Sequence, residues 1–203
     1  MRHTHLKIVA GQPLVPASYS GATTGVELVS LSSQPVALAP IAPPVPPYEA
    51  PLSYKEQAEF KMWADGLPYK NPGNRPADEY QKRVAGSPER GLPLPSGWPK
   101  PSGRLMADGL RATDGAAVEA KYVKQEGCSP RTLNNMNKSN GRIWETNMYN
   151  GDLKEMAEYG KAMTVPGNKV RFVEVNTNDA ESLAYWRFLM ATNHVEGYAR
   201  HTP

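Results

Sequence analysis

The sequence predicts an α/β fold in which helices flank a mixed sheet, and three observations carry this prediction. Residues 76–86 and 144–163 have the composition and end signals of helices. Residues 104–123 contain two short strand segments joined by the turn sequence Thr113-Asp114-Gly115. Residues 169–176 form a β-branched and aromatic run that a further helical segment follows. The order helix, strand, strand, helix, strand, helix is typical of α/β proteins.

The first 53 residues differ in composition from the remainder of the chain. Nine of the twenty prolines lie there, mixed with Ala, Ser, Val and Leu. The run Pro-Ile-Ala-Pro-Pro-Val-Pro-Pro at 40–47 favours extended polyproline conformation and blocks helices and central strands. We therefore expect a largely irregular leader or linker over residues 1–53 and a single folded domain over residues 54–203. A docking segment for a proline-binding domain is the alternative interpretation of the leader.

Composition and charge exclude several classes of protein. Cys128 is the only cysteine, so no intrachain disulfide can form, and one Cys with four scattered His gives no zinc-ligand pattern. No apolar run reaches the roughly 18 residues that a transmembrane helix needs. The first twenty residues also lack the apolar core of a secretory signal peptide. The formal net charge of +3 is compatible with a nucleic-acid partner without requiring one.

Residues 54–108 are expected to supply two helices and the first strand. A helix over 54–64 offers Phe60 and Trp63 to one face. A second helix begins at Pro76, which suits the first helical turn, and ends at Gly86. Residues 87–103 are rich in Pro and Gly and are expected to be a connection. Strands over 104–108 and 118–123 follow on either side of the turn.

Residues 124–143 are polar and Asn-rich, and predict a loop with at most one helical turn. A helix over 144–163 comes next, followed by the strand at 169–176, which is apolar enough to be buried on both faces. Within that strand, Glu174 is expected at an edge or in solvent. Asn178 with Glu181 forms a capping-box variant that opens a helix over 179–194. The apolar residues of this helix are expected to pack in the core: Leu183, Trp186, Phe188, Leu189 and Met190.

The two strand segments around the turn bring acidic and basic side chains together. Because alternate residues of a strand point to the same face, Glu119 and Lys121 point one way and Val118, Ala120 and Tyr122 the other. The hairpin returns Asp108 to the neighbourhood of Glu119. Two carboxylates and one amine in one place predict a metal-dependent phosphodiesterase centre. The alternatives are a solvated strand face with a surface ion pair, and Asp114 as the first acid; the position of Asp114 in the turn favours turn chemistry.

On these residues the chain resembles the PD-(D/E)XK, restriction-endonuclease-like nuclease superfamily. Asp108 matches the first acid of the superfamily motif, and Glu119-Ala120-Lys121 matches its E-x-K. Tyr80-Gln81, Gly86 and Asp108-Gly109 add a resemblance to the restriction-endonuclease-fold toxin domains at the C-termini of bacterial polymorphic toxins. The resemblance covers about residues 76–200 and implies an αβββαβ-type core. One departure is Ala107, which stands where the motif has Pro.

The resemblance also implies roles for single residues. Asp108, Glu119 and the Ala120 carbonyl would hold Mg²⁺ or Mn²⁺, hard cations that prefer oxygen ligands. Lys121 would orient the attacking water and stabilise charge on the phosphate oxygens. Glu79 is a candidate for an additional metal ligand, and Gln125 for a contact to the water or the phosphate.

The loop after the predicted site strand carries basic residues among its asparagines. Lys124, Arg131, Lys138 and Arg142 give it the charge to follow a phosphate backbone. A plain solvated loop is the alternative interpretation. We expect Lys124, Arg131 and Lys138 to contact nucleic acid.

Taken together, these features and the resemblance predict a metal-dependent DNase toxin domain used in competition between bacteria. The resemblance implies a nucleic-acid substrate, DNA in preference to RNA, and a cognate immunity protein that covers the Asp108–Lys121 cleft. It further implies an exported toxin fragment that acts in the target-cell cytoplasm, without insertion of this chain into a membrane. An RNA-cleaving toxin and a non-catalytic interaction module with a degenerate nuclease core are the alternatives.

Overall fold

The structure, a computed structural model, describes residues 50–86, 88–137 and 143–203. All of them belong to one compact unit, Pro43–Pro203. The predicted leader over residues 1–53 lies outside the described residues except for its last four, so its irregular character stays a prediction.

The described residues form five α-helices and seven strands. The helices are α1 (Tyr54–Asp65), α2 (Pro76–Ala85), α3 (Leu133–Asn137), α4 (Ile143–Met163) and α5 (Leu183–Thr192), with a single 3₁₀ turn at Ala180–Ser182. The strands are β1 (Tyr69–Lys70), β2 (Glu89–Pro93), β3 (Arg104–Ala107), β4 (Gly109–Arg111), β5 (Ala116–Lys121), β6 (Phe172–Thr177) and β7 (Gly197–His201). The predicted α/β class is confirmed.

Local sequence explains where the first two helices begin and end. Ser53 caps α1 in a capping box, because its hydroxyl accepts from the Glu56 N–H while Glu56 accepts from the Ser53 N–H. Pro76 opens α2 as predicted. Gly86 ends α2 in the left-handed conformation at φ 64°, which a residue without Cβ adopts at little cost.

The strands form two sheets. β1, β2 and β3 make a three-stranded antiparallel sheet. β4, β5, β6 and β7 make a mixed sheet in that order, in which β5 pairs antiparallel with β4 and parallel with β6, and β6 pairs parallel with β7. Asp108 alone separates β3 from β4, so the chain changes sheets at the predicted first acid. Because β5, β6 and β7 are parallel, their carboxyl ends Lys121, Thr177 and His201 lie at the same edge.

Helices cover both faces of the mixed sheet, with a small apolar cluster on one face and a larger core on the other. On one face, Ala85 of α2 packs against Ala116, Val118 and Phe172. On the other face, α4 and α5 enclose the larger core, whose buried aromatic side chains are Tyr159, Tyr185 and Trp186. Burial of these apolar side chains supplies the main driving force for folding. The helices thereby hold the strand ends at fixed positions on both sides.

Several sequence-based predictions of elements were wrong in detail. The Pro- and Gly-rich connection over 87–103 contains β2, and the last strand, β7, was not predicted. Asn178 does not cap the last helix: the Asp179 carboxylate caps the preceding 3₁₀ turn by accepting from the Glu181 N–H, and the N-cap residue of α5, Ser182, makes no side-chain cap. Asn178 instead bonds both backbone polar groups of Val123. Phe188, expected in the core, is 44% exposed.

The prediction for Glu174 was also wrong. Glu174 lies on the central strand β6 and is buried, at 2% exposure. Its carboxylate accepts from Arg111 at 2.6 Å, from Asn176 at 2.9 Å and from the Tyr198 hydroxyl. Burial alone would raise the pKa of this carboxyl, but these donors outweigh burial and lower the pKa to about 2. Sequence reasoning missed this because Arg111 and Tyr198 are distant in sequence.

Candidate active site

Asp108 reaches the edge of β5 from the junction of the two sheets. Its Oδ2 accepts a hydrogen bond from the Ala120 N–H at 2.7 Å. The N–H and C=O of one strand residue point to the same neighbouring strand, so the Ala120 carbonyl also faces the side of Asp108. The structure thus places Asp108 beside the E-x-K segment, as the hairpin argument requires.

Glu119 and Lys121 point to the same face of β5. The Lys121 Nζ donates to the Glu119 Oε1 at 2.7 Å, and the two side chains, lysine and glutamate, are only 15% and 5% exposed. The ion pair is therefore largely buried, and the alternative of a solvated surface pair does not describe it. The other alternative, Asp114 as the first acid, is excluded too, because Asp114 pairs with Arg111 within the turn at 2.8 Å.

Helix α4 adds two side chains that sequence reasoning missed. The Glu155 Oε2 accepts from the Lys121 Nζ at 2.5 Å, and the Tyr159 hydroxyl donates to the Glu119 Oε2 at 2.5 Å. Glu155 and Tyr159 are four residues apart and so lie on one face of α4. In the sequence, the four-residue spacing of Glu155 and Tyr159 next to the apolar residues Met156 and Ala162 indicates that both lie on the buried side of a helix. The local sequence does not indicate which strand that side of the helix contacts.

Asp108, Glu119, Lys121, Glu155 and Tyr159 form one cluster of polar side chains. Trp186 of α5 lies against the Lys121 ammonium of this cluster. The Lys121 Nζ lies 5.3 Å from the ring centroid of Trp186, and the Arg131 guanidinium lies 5.6 Å from it. A cation over an aromatic face gains electrostatic stabilisation without neutralising its charge. The ring therefore supports the position of Lys121 and leaves its ammonium charged.

Two carboxylates, Glu119 and Glu155, pair with the Lys121 ammonium, and Asp108 lies near it without a direct contact. Burial is the main cause that raises the pKa of Asp108 to about 6 and the pKa values of Glu119 and Glu155 to about 7. The charge of Asp108 adds to the rise at Glu119. Burial opposes the charge on Lys121, but Glu119 and Glu155 outweigh it and raise the lysine pKa. The cluster is therefore short of positive charge when all three carboxyls ionise.

The cluster offers the donor chemistry of a divalent-cation site. Carboxylate oxygens of Asp108 and Glu119 with the Ala120 carbonyl are hard oxygen donors of the kind that Mg²⁺ and Mn²⁺ prefer. The charge of Asp108 contributes to the raised pKa of Glu119, so the two ionised carboxylates repel each other and a cation between them would reduce that repulsion. Each Glu119 oxygen accepts one hydrogen bond and retains a lone pair that a cation could use. Over residues 50–86, 88–137 and 143–203, no set of three His, Cys, Asp or Glu side chains is arranged around a common point for a metal.

Two predicted site residues are not brought to the cluster. Glu79 lies on α2, which packs on the opposite face of the sheet from Glu119, and its exposed carboxylate pairs with Lys82 at 2.8 Å. Gln125 is exposed in the loop after β5, where its carbonyl accepts from the Cys128 N–H. Neither is therefore counted among the residues that contact Lys121.

The predicted nucleic-acid contacts have different surroundings. Lys124 is exposed just beyond β5. Arg131 makes a bidentate pair with the buried Asp152, at 2.7 and 3.1 Å, whose Oδ2 also accepts from the Tyr185 hydroxyl. Arg131 is therefore held between Asp152 and the Trp186 ring, the same ring that Lys121 contacts. Lys138 lies outside the described residues.

A cavity of about 340 Å³ opens beside the cluster, between β3 and α4. Glu155 lines it together with Lys100, Lys154 and Glu158. Glu155, which lines this cavity, also contacts Lys121, so the cavity lies next to the ion pair of the site.

Comparison with known proteins identifies the family of this chain. The family model described as restriction endonuclease fold toxin 2 matches residues 76–196, more than half of the chain, and the match includes all the cluster residues. No curated protein and no solved structure gives a significant match. Among the helices that the structure describes, none combines the length and apolar character needed to cross a membrane.

Proposed function

Because this chain belongs to the restriction endonuclease fold toxin 2 family, we propose that it is a metal-dependent nuclease toxin that hydrolyses phosphodiester bonds. One observation carries the proposal: Asp108, Glu119 and Lys121 meet at one strand end, with the Asp108 carboxylate on the Ala120 N–H and the Lys121 ammonium on Glu119. The same cluster is flanked by an open cavity. A sheet that needs only a core gains nothing from two largely buried carboxylates beside an amine.

The side chains have distinct roles in this proposal. Lys121 can donate hydrogen bonds that orient the attacking water and stabilise the charge that grows on the phosphate oxygens. Glu155 accepts a hydrogen bond from Lys121 at 2.5 Å and so fixes the direction of the ammonium. Tyr159 donates to the Glu119 Oε2 at 2.5 Å and so fixes that carboxylate. The hydrogen bond from the Ala120 N–H holds the Asp108 carboxylate beside the strand that carries Glu119 and Lys121.

Asp108, Glu119 and the Ala120 carbonyl would hold Mg²⁺ or Mn²⁺. The bound cation would polarise a phosphate oxygen and lower the pKa of a water molecule.

The proposal includes the biological setting implied by a toxin family. The preferred substrate is DNA rather than RNA, the toxin is exported to the cytoplasm of a target cell, and an acidic immunity protein covers the cluster in the producing cell. Support for the nucleic-acid substrate comes from the family and from exposed Lys124 and Lys154 near the cluster. An immunity protein with surface carboxylates would complement these lysines.

The decisive experiment incubates the purified protein with plasmid DNA and, separately, with tRNA, each with Mg²⁺ and with EDTA. We expect plasmid cleavage that EDTA abolishes, and a loss of about 10²-fold or more in Asp108→Asn, Glu119→Gln and Lys121→Ala. Glu181→Gln, at an exposed glutamate before α5, is the matched control and is expected to cleave normally. Cleavage of tRNA alone would make the protein an RNA-cleaving toxin. Absence of any cleavage by a folded protein would overturn the enzymatic proposal in favour of a non-catalytic interaction module.

A further inference from the structure

A groove of about 680 Å³ lies between α2 and the end of β5, on the face of the sheet opposite Glu119. It is lined by Pro76, Glu79, Tyr80, Lys82, Arg83 and Tyr122. Tyr122 directly follows Lys121, and strand alternation turns its side chain to the α2 face while Lys121 points to the cluster. The groove and the proposed reaction centre therefore lie on opposite faces of the sheet, at the same carboxyl end of β5.

The walls of the groove combine aromatic rings with basic side chains. The Tyr80 and Tyr122 rings lie 5.8 Å apart at 47°. Tyr80 is buried and fixed, because its hydroxyl donates to the Thr202 carbonyl at 2.9 Å, whereas Tyr122 is half-buried and reaches the groove. The Arg83 guanidinium lies 5.1 Å from the Tyr80 ring centroid.

Arg83 supplies the groove's uncompensated charge. Lys82 neutralises Glu79 at 2.8 Å. In the part of the chain that the structure describes, no carboxylate lies within ion-pairing distance of Arg83, which is exposed. An unpaired guanidinium beside a reachable aromatic face is the pairing that binds phosphate and stacks bases.

We propose that this groove binds a single-stranded segment of the substrate next to the phosphate that is cut, with a base on Tyr122 and a phosphate on Arg83. The proposal rests on the proposed nuclease function and adds a substrate class to it. A single strand is required because a base offers its flat face to an aromatic side chain only when it is unstacked from a duplex. The groove then gives a nuclease of this architecture a preference for nucleic acid with unpaired nucleotides at the cut.

The test measures binding separately from cleavage. Fluorescence anisotropy in EDTA follows a labelled single-stranded oligodeoxynucleotide, the oligoribonucleotide of the same sequence, and the corresponding DNA duplex. Tyr122→Ala and Arg83→Ala are expected to weaken single-strand binding by about tenfold each. Arg83→Ala also lowers the dependence of log Kd on log salt by about one unit. Tyr122→Phe keeps the ring and is expected to bind as the wild type does.

Arg187→Ala is the matched control, since Arg187 is exposed on α5 at the other face of the sheet. Circular dichroism melts establish that each variant is folded, and Arg83→Ala removes only an exposed side chain. Unchanged single-strand affinity and salt dependence in folded Arg83→Ala and Tyr122→Ala would overturn the groove assignment, even if the wild type cleaves. Equal losses on the duplex would overturn it as well. Absence of cleavage by the wild type, with these binding losses present, would instead remove the nuclease proposal and leave the groove as a single-strand binding site.

Discussion

Lys121 is the side chain on which the electrostatics of the cluster depend. Its ammonium contacts two carboxylates, Glu119 and Glu155, at 2.7 and 2.5 Å. Breaking a buried pair by removing one partner typically costs about 3–5 kcal/mol, because the remaining charge is left uncompensated. Loss of Lys121 therefore removes a functional group and also raises the proton affinity of two carboxyls. An activity loss in Lys121→Ala has to be interpreted together with the pH dependence of the variant.

Tyr159→Phe changes the proton affinity of Glu119 while Lys121 stays in place, because it removes one hydroxyl and keeps the ring. The Glu119 Oε2 then loses its donor, and the free energy of unfolding is expected to fall by about 1–3 kcal/mol. Since the bond from Tyr159 opposes the rise in the Glu119 pKa, its removal raises that pKa further above about 7. The pH at which cleavage reaches half its maximum should therefore move upward, as measured by a pH–rate profile with urea unfolding in parallel.

Tyr185→Phe is the control for this prediction. Tyr185 is an equally buried tyrosine that donates to Asp152 at 2.9 Å, away from Glu119. It should lose a similar amount of stability and keep the wild-type pH profile. A shift of the profile in both variants, or in neither, would show that Tyr159 does not act through Glu119.

The sequence predicted those site residues whose partners lie close by in the chain. Alternation along β5 places Glu119 and Lys121 together, and a short turn returns Asp108 to them. The sequence did not predict Glu155 and Tyr159, because their partners are 34 and 40 residues away. Helical spacing shows that two residues share a face, but it does not show which face of the sheet that helix covers.

At the scale of elements, β6 and α4 position the cluster. All six residues of β6 are buried, so the strand is fixed from both faces and holds β5 in a parallel register from Ala116 to Lys121. The Asn178 amide extends this register beyond the strand by bonding the Val123 N–H and C=O at 2.7 and 2.8 Å. α4 then brings Glu155 and Tyr159 over the same strand end.

Two glycines in these elements are expected to respond oppositely to substitution by alanine. Gly197 begins β7 at φ 150°, and a Cβ there would lie 2.0 Å from the Val173 carbonyl oxygen. Gly197→Ala therefore forces β6 and β7 apart, and we expect a loss of at least about 3 kcal/mol in the free energy of unfolding. Gly151 lies within α4, where a Cβ would meet no atom of the described residues within 4 Å, so Gly151→Ala should gain about 0.5–1 kcal/mol. Urea unfolding of both variants measures the two changes, and equal signs would contradict the register of β7.

The element-level predictions from sequence failed mainly at short strands. β1 has two residues, and β7 begins with a glycine and carries Arg200 and His201, so neither shows the alternating apolar pattern of an isolated strand. β7 is stable because β6 pairs with it. This pairing joins distant segments, so a short stretch of sequence does not reveal it. The long helix α4 and the buried strand β6 were predictable, because their own length and apolar content suffice.

At the scale of the whole molecule, acids on opposite faces of the mixed sheet respond oppositely to pH. Glu174 on the α2 face has its pKa lowered to about 2, because its hydrogen-bond donors outweigh burial. It stabilises the fold above its unfolded pKa of about 4.3, and this contribution is lost as the pH falls toward 2. Asp108, Glu119 and Glu155 on the other face have raised pKa values, chiefly because of burial.

For the three raised groups, the folded state binds more protons than the unfolded state between about pH 4 and pH 7. The free energy of unfolding is therefore expected to fall as the pH rises through this window in EDTA. A divalent cation binds the ionised folded form, so millimolar Mg²⁺ should reduce the fall. Urea unfolding at about pH 4.5 and about pH 7.5, with EDTA and with Mg²⁺, measures both effects. Asp108→Asn removes one raised carboxyl and its repulsion of Glu119, so its stability should depend less on pH and respond less to Mg²⁺. If the wild type gained no stability from Mg²⁺ at the higher pH, Asp108 and Glu119 would not be cation ligands, and their burial would have to be explained by Lys121 alone.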